Sequence, residues 1–252
     1  MCLILLAYQI HPEYPLIVAA NRDEFLHRGT RPAQWWPEAP QLLAGKDLEA
    51  DGTWMGVSMT GRFAAITNVR EPDVTTPAPC SRGLLPRRYL EEEIDDQHFA
   101  GLLHQTKNQY LGYNLLFGNS KRLYYYSNRL DRLDTLTPGI YGLSNAQLDT
   151  PWPKIETGKQ LLRKQLTATE LETEKILEIL TSTELFSDDR LPATGVSIEW
   201  ERKLSAIRIT GSDYGTRSST ALLITRDNRV DFHERTLLPS ETDFVASFQL
   251  QR

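Results

Sequence analysis

Cysteine is scarce in this chain: 252 residues hold two, Cys2 and Cys80. Two thiols make no disulfide framework and fit a reducing compartment. A chain of this length also buries a core without staples. The five histidines, His11, His27, His98, His104 and His233, form no HExxH motif, and there is no CxxC pair. An intrinsic zinc site is therefore not expected. Walker and GxGxxG loops are absent as well, which removes the usual phosphate cradles. A formal net charge of -5 without a basic stripe excludes a general nucleic-acid binder. No apolar run approaches the roughly 20 residues of a membrane-spanning helix. The N-terminal apolar run lacks a basic flank and stops at Ala7, so it does not read as a signal peptide, and the cytoplasm is the expected location.

What is present begins at the second residue. Cys2 follows the initiator methionine and leads into Leu3-Ile4-Leu5-Leu6. A small second residue permits removal of Met1, which would leave Cys2 with a thiol and a free α-amine. Such an amine has a pKa of about 7.7–8.0 and can take the proton of its own thiol. One residue would then supply both nucleophile and base. The plain alternative is a small buried hydrophobe. If Met1 is retained, the amine belongs to methionine and the mechanism fails.

Residues 3–7 and 16–20 read as buried strands joined through a proline-containing connection. Residues 32–40 read as a loop rich in Pro and Trp. Residues 53–58 and 62–67 form a predicted hairpin turned at Met59-Thr60-Gly61, followed by a second proline-rich loop at 72–79. Ser81 is placed to cap one helix and Asp95 or Asp96 the next. A hairpin is expected over 113–117 and 122–126, then a short strand at 140–143. The spacing predicts amphipathic helices over 153–166 and 169–180, an ordered acidic loop at 186–195, and a closing hairpin of 220–225 with 229–233. Hairpin-linked strands with segregated helices give an α+β fold with antiparallel sheets. No boundary divides the chain, so one domain over residues 1–252 is expected.

Asn21-Arg22-Asp23-Glu24 places four polar residues at the end of a core strand, where they need partners. One reading is a turn carrying an Arg–carboxylate pair. The other sets Asp23 where it can orient the Cys2 amine and Arg22 where it can bind an anion or an acyl group. Asn68 and Asn145 each follow a strand. An amide aimed at a developing oxyanion lowers a barrier by about 2.7–4 kcal/mol, although asparagine is also an ordinary turn residue. Arg217, inside Tyr214-Gly215-Thr216-Arg217-Ser218-Ser219, either pairs with a carboxylate or holds a site together. Trp35, Trp36 and Trp54 are candidates for an acyl groove, with core packing the alternative.

Met1-Cys2, Asn21-Arg22-Asp23-Glu24, Asp51-Gly52-Thr53-Trp54-Met55-Gly56, Gly142-Leu143-Ser144-Asn145 and Tyr214-Gly215-Thr216-Arg217-Ser218-Ser219 together resemble the NRDE family, also called the transport and Golgi organisation protein family. That family in turn resembles the N-terminal nucleophile hydrolases of the penicillin V acylase and bile salt hydrolase group. The resemblance implies a four-layer αββα sandwich. It matches Cys2 to the nucleophile, Asp23 to the carboxylate that contacts its amine, Asn68 and Asn145 to the oxyanion and amine positions, and Arg217 to the arginine that closes the site. The hydrolases carry an arginine three residues before the aspartate. Here that position is Ala20, and Arg22 adjoins Asp23 instead.

The function so implied is hydrolysis of a non-peptide C–N amide of a small or acylated molecule, with Arg22 and Trp54 binding substrate and no cofactor. Members of the family are also linked to lipid or acyl-CoA metabolism and to haem trafficking. The alternative is therefore a non-catalytic carrier of haem or another lipophilic ligand, with Cys2 or His27 on the iron. A scaffold that uses the fold alone is a third reading. The expected partner is a small molecule, without nucleic acid or a membrane span.

Overall fold

A computed structural model describes residues 2–74 and 76–251; Met1, the Cys2 side chain, Thr75 and Arg252 lie outside the description. Among the described residues the strands form two antiparallel sheets. The six-stranded sheet holds β1 (Cys2–Tyr8), β2 (Leu16–Phe25), β10 (Gly139–Leu143), β11 (Tyr214–Ile224), β12 (Arg229–Thr236) and β13 (Thr242–Gln249), in the order β10-β1-β2-β11-β12-β13. The seven-stranded sheet runs in sequence order through β3 (Thr30–Trp36), β4 (Ala39–Asp47), β5 (Met55–Ser58), β6 (Phe63–Asn68), β7 (Tyr113–Gly118), β8 (Leu123–Ser127) and β9 (Arg132–Thr135).

Period-two alternation sorts the side chains into layers. On β1 and β2, Ile4, Leu6, Leu16 and Val18 enter the core between the sheets. Their neighbours Leu3, Leu5, Ile17 and Ala19 face α3 (Pro153–Gln165) and α4 (Thr173–Glu178) through Ile155, Leu162, Ile176 and Leu177. On the far side, α1 (Leu84–Glu91) and α2 (Asp96–Thr106) cover the second sheet around Tyr89, Phe99 and Phe117. The result is the expected αββα order of layers. Two glycines set how closely α3 sits. A Cβ at Gly158 would come within 2.6 Å of Leu5, and one at Gly142 within 2.4 Å of Ile155.

Several boundaries differ from the sequence expectation. Asn21-Arg22-Asp23-Glu24 does not end its strand: β2 continues through it to Phe25, paired with β1 on one side and β11 on the other. Residues 32–40 are not a loop but the end of β3, the turn and the start of β4. Pro32 is tolerated because β3 is an edge strand with an irregular register at 31–34. The residue at the N-cap of α1 is Gly83 rather than Ser81, whereas Asp95 caps α2 by accepting from the Gln97 and His98 amides. The helix expected at 169–180 is shorter, α4 covering only 173–178. A helix follows the acidic loop, α5 (Ile198–Ser205), with the Ser197 side chain as its cap. β9 and β13 were not anticipated. β11 starts six residues earlier than expected because it is central and buried on both faces, so it shows no alternation.

Candidate active site

The strand that carries the Asn21-Arg22-Asp23-Glu24 motif, β2, delivers its polar residues to two faces. Asn21 and Asp23 continue the face that meets the helices. The Asn21 amide donates to the Leu180 and Ile207 carbonyls at 3.1 and 2.8 Å and accepts from the Ser219 hydroxyl at 2.6 Å. Asp23 is buried and accepts from the Thr216 hydroxyl at 2.6 Å. Burial pushes its carboxyl above the usual aspartate value; Lys154 and the Thr216 hydroxyl oppose that rise. Lys154 itself is buried on α3 and donates to the Leu204 carbonyl at 2.9 Å. It was missed in the sequence because a lysine beside the apolar face of a helix reads as solvent-exposed; the small Gly158 one turn on was the signal of a close approach.

Arg22 and Glu24 lie on the opposite face. Strand register sets Cys2 opposite Arg22. Ala20 also faces the inter-sheet core, so Arg22 extends from the same face as the position where the hydrolases carry their arginine. The Arg22 guanidinium lies 4.2 Å above the Trp54 ring, and Trp54 packs closely on Gly45, where a Cβ would stand 2.2 Å from the indole. The Asp51-Gly52-Thr53-Trp54 motif builds this platform. Asp51 takes a positive φ of 56°, Gly52 packs on the backbone of Gly83, and the Thr53 amide donates to the Gly83 carbonyl.

Two recesses open beside these strand ends. The larger, about 340 Å3, is lined by Asn68, Asn145, Glu24, Phe25, Trp200 and Tyr214, among others. The Asn145 amide donates to the Asn68 carbonyl at 2.7 Å, and the Arg70 amide donates to the Asn145 carbonyl at 2.9 Å. Asn145 is thereby fixed, while the Asn68 side chain makes no hydrogen bond to the described residues. Below them, buried Asn114 holds the Ala146 carbonyl at 2.8 Å and accepts from the Tyr125 hydroxyl. A buried ion pair, Arg70 with Glu201 at 2.7 Å, secures α5 beside the recess. Burial lowers the Arg70 pKa and Glu201 opposes it. Neither Asn114 nor this pair carried a sequence signal, since their partners lie far along the chain.

The smaller recess, about 50 Å3, takes Arg22, Trp54 and Arg217. Arg217 is the extra residue at the irregularity in the β2–β11 register, between Thr216 and Ser218, and donates to the carbonyls of Phe25, Leu26 and Arg28 at 3.1, 2.9 and 3.1 Å. It thus clamps the turn after β2. The structure therefore gathers Asn68 and Asn145 in one recess and Arg22, Trp54 and Arg217 in another, with Asp23 on the helix-side face; the Cys2 side chain lies outside the described residues. The other two tryptophans line neither recess. Trp36 is buried under α1, and Trp35 packs edge-on to Phe248 at 4.9 Å. The aromatic wall of the larger recess is instead Phe25, Trp200 and Tyr214, of which Trp200 stands on the unanticipated α5. His27, the candidate haem ligand, is exposed and stands against Phe25 at 5.5 Å. The described lining of both recesses offers no histidine, cysteine or methionine for an axial bond to iron.

Among known proteins, the solved structure of a Caenorhabditis elegans N-acylethanolamine-hydrolyzing acid amidase ortholog superposes with a TM-score of 0.52 at 9% identity, over 88% of this chain and 92% of that one. A mutant of the conjugated bile acid hydrolase from Clostridium perfringens gives a TM-score of 0.56 at 7% identity, over 100% and 97%. At such identities the likeness shows a shared fold, that of the N-terminal nucleophile hydrolases. The Transport and Golgi organization protein 2 homolog of Bos taurus is 34% identical over 262 residues, covering 96% of this chain and 95% of the bovine protein. The sequence profile of one family, Transport and Golgi organisation 2, matches residues 1–239. The chain belongs to the Transport and Golgi organisation 2 family, on an N-terminal nucleophile hydrolase fold.

Proposed function

We propose that the protein is a cysteine N-terminal nucleophile hydrolase that cleaves a non-peptide C–N amide carrying an apolar acyl group. The observation that carries this reading is the register of β1 on β2. It sets Cys2 opposite Arg22, one residue from the buried Asp23, at the strand end where the 340 Å3 recess opens. Names on the same fold, such as the acid amidase of Caenorhabditis elegans, include amide cleavage.

In this reading, processing removes Met1 and frees the Cys2 amine. That amine takes the thiol proton, and the sulfur adds to the amide carbonyl. Asn68, whose side chain makes no hydrogen bond to the described residues, donates to the oxyanion, while Asn145 holds the Asn68 backbone. Collapse breaks the C–N bond, and the leaving amine departs with the proton held by the Cys2 amine. Water then hydrolyses the thioester, releasing a carboxylic acid and restoring the thiol. Asp23 orients the Cys2 amine, held in turn by Thr216. Arg217 is a positioning residue through its clamp on the 25–28 turn. Phe25, Trp200 and Leu204 give the acyl group an apolar wall.

Intact mass of the protein made in cells, followed by incubation with activated acyl donors and a panel of N-acyl amides, tests this. Loss of Met1 and a covalent acyl adduct on wild type but not on Cys2→Ala is the expected result. A retained Met1, or no adduct with any donor, would overturn it.

A further inference from the structure

The small recess holds two buried guanidiniums, and among the described residues no carboxylate makes a hydrogen bond to either of them. Arg22 is 4% exposed and Arg217 8%. Among the described residues the side chain of Arg22 makes one hydrogen bond, to the Thr30 hydroxyl at 3.0 Å. Its nearest carboxylates, Asp47 and Glu24, stand at 3.8 and 4.0 Å, beyond hydrogen-bond reach. Asp47 is already engaged by Arg28 at 2.6 Å. Arg217 uses one terminal nitrogen on three carbonyls, and its buried Nε–H has no acceptor among the described residues. Buried donors are nearly always satisfied, so an orphan of this kind calls for an explanation.

Glu234 also lines the recess, with both of its oxygens engaged by other donors. One of its oxygens accepts from the Ala33 amide at 2.6 Å, the other from the Ser218 and Thr220 hydroxyls at 3.4 and 3.3 Å. Burial raises its pKa, and the Ala33 amide, the two hydroxyls and Arg22 oppose that rise. Burial, with Arg22 nearby, also lowers the pKa of Arg217, as expected for two cations facing one space. Arg31 stands exposed at the rim and Thr236 adds a hydroxyl. At about 50 Å3 the space takes roughly three waters, or one small oxyanion group.

We propose that this recess is an oxyanion site, in which a carboxylate or phosphoryl group sits between Arg22 and Arg217. Guanidinium forks match both anions through paired N–H donors. A cation is excluded by the two arginines, and an apolar group would leave the orphan donor unpaired. The site goes beyond the hydrolase reading and does not depend on turnover. It opens by a different set of residues from the recess of Asn68 and Asn145.

Thermal unfolding of the full chain in sodium phosphate, sodium acetate and sodium chloride at matched ionic strength tests the proposal. An anion at ten times its Kd is expected to raise Tm by about 3–5 °C over chloride. A rise in phosphate alone assigns a phosphoryl group; a rise in acetate assigns a carboxylate. Arg22→Gln should weaken binding roughly tenfold or more. Should that variant not fold, Thr236→Glu supplies the second arm. It places a carboxylate in the recess, and it should raise Tm in chloride and abolish the response to added anion. Equal Tm values in all three salts, or variants that respond as wild type does, would overturn the proposal.

Discussion

The two faces of β2 carry alternate residues of one four-residue motif and treat them differently. On the helix side, Asn21 and Asp23 are closed in by short bonds: Asn21 to two carbonyls and a hydroxyl, Asp23 to Thr216. On the inter-sheet side, Arg22 and Glu24 contact each other only at 4.0 Å and edge separate recesses. A buried polar group bonded at both its amide nitrogen and its oxygen, as Asn21 is, fixes a structure. One with long contacts beside open space keeps its interaction energy for a ligand. The helix-side face therefore holds the strand end and carries Asp23, the carboxylate proposed to orient the Cys2 amine, and the inter-sheet face is where an anion is to be sought.

The largest effect falls on neither of these faces but on the residue whose register they share. Cys2→Ala is expected to lower hydrolysis by about 10⁴-fold or more, with circular dichroism unchanged; residual turnover near wild type would remove the nucleophile. Next, the two amides of the larger recess should separate. Asn68→Ala is expected to lower kcat about 10²–10³-fold with little change in Tm. Asn145→Ala should also lose about 1 kcal/mol of stability, because its bond to the Asn68 carbonyl is lost. Kinetics and urea melts on the pair read this directly.

Stability tests the contrast between the faces. Asn21→Leu strands two buried carbonyls and should cost about 2–4 kcal/mol in urea unfolding. Arg22→Gln should cost less than half of that; equal losses would mean that the inter-sheet face is as structural as the other. The smallest effect is a pH dependence. Burial holds the folded pKa of Glu234 above its ordinary value of 4.5, with Arg22 opposing. The folded state then binds more protons than the unfolded one, so this stabilisation is present below pH 4.5 and is lost as pH rises through the folded pKa. Glu234→Gln should flatten that part of the decline and gain stability relative to wild type at higher pH, which Tm against pH would show.

Much of the frame was legible because its signals are local. The apolar runs at 3–7 and 16–20, the turn at Gly61 and the Asp95 cap each depend on neighbours within a few residues. The motif residues were also legible, but their arrangement was not. Read as a strand end, Asn21-Arg22-Asp23-Glu24 suggested one cluster; its continuation in β2 splits the cluster across two faces. Trp200 went unnoticed because 198–205 is a short amphipathic stretch with Ile198 and Trp200 exposed, and its anchor, Glu201, is paired with Arg70 far upstream. Of the three tryptophans considered for an acyl groove, Trp54 lines the smaller recess, whereas Trp35 packs against the inter-sheet core and Trp36 lies in the core under α1 and α2.

The amino-acid sequence by itself determined which residues carry polar chemistry and, through period-two and 3.6-residue patterns, where most strands and helices lie. Tertiary structure alone decided that Asn68 and Asn145 share a recess, that Arg22 and Arg217 face another, and that Lys154 is buried near Asp23. The physical reason is range. Backbone propensity and alternation act over a few residues, whereas a recess is formed by sheet register and layer packing that bring together segments up to nearly two hundred residues apart, as in the Asp23–Thr216 bond with a separation of 193.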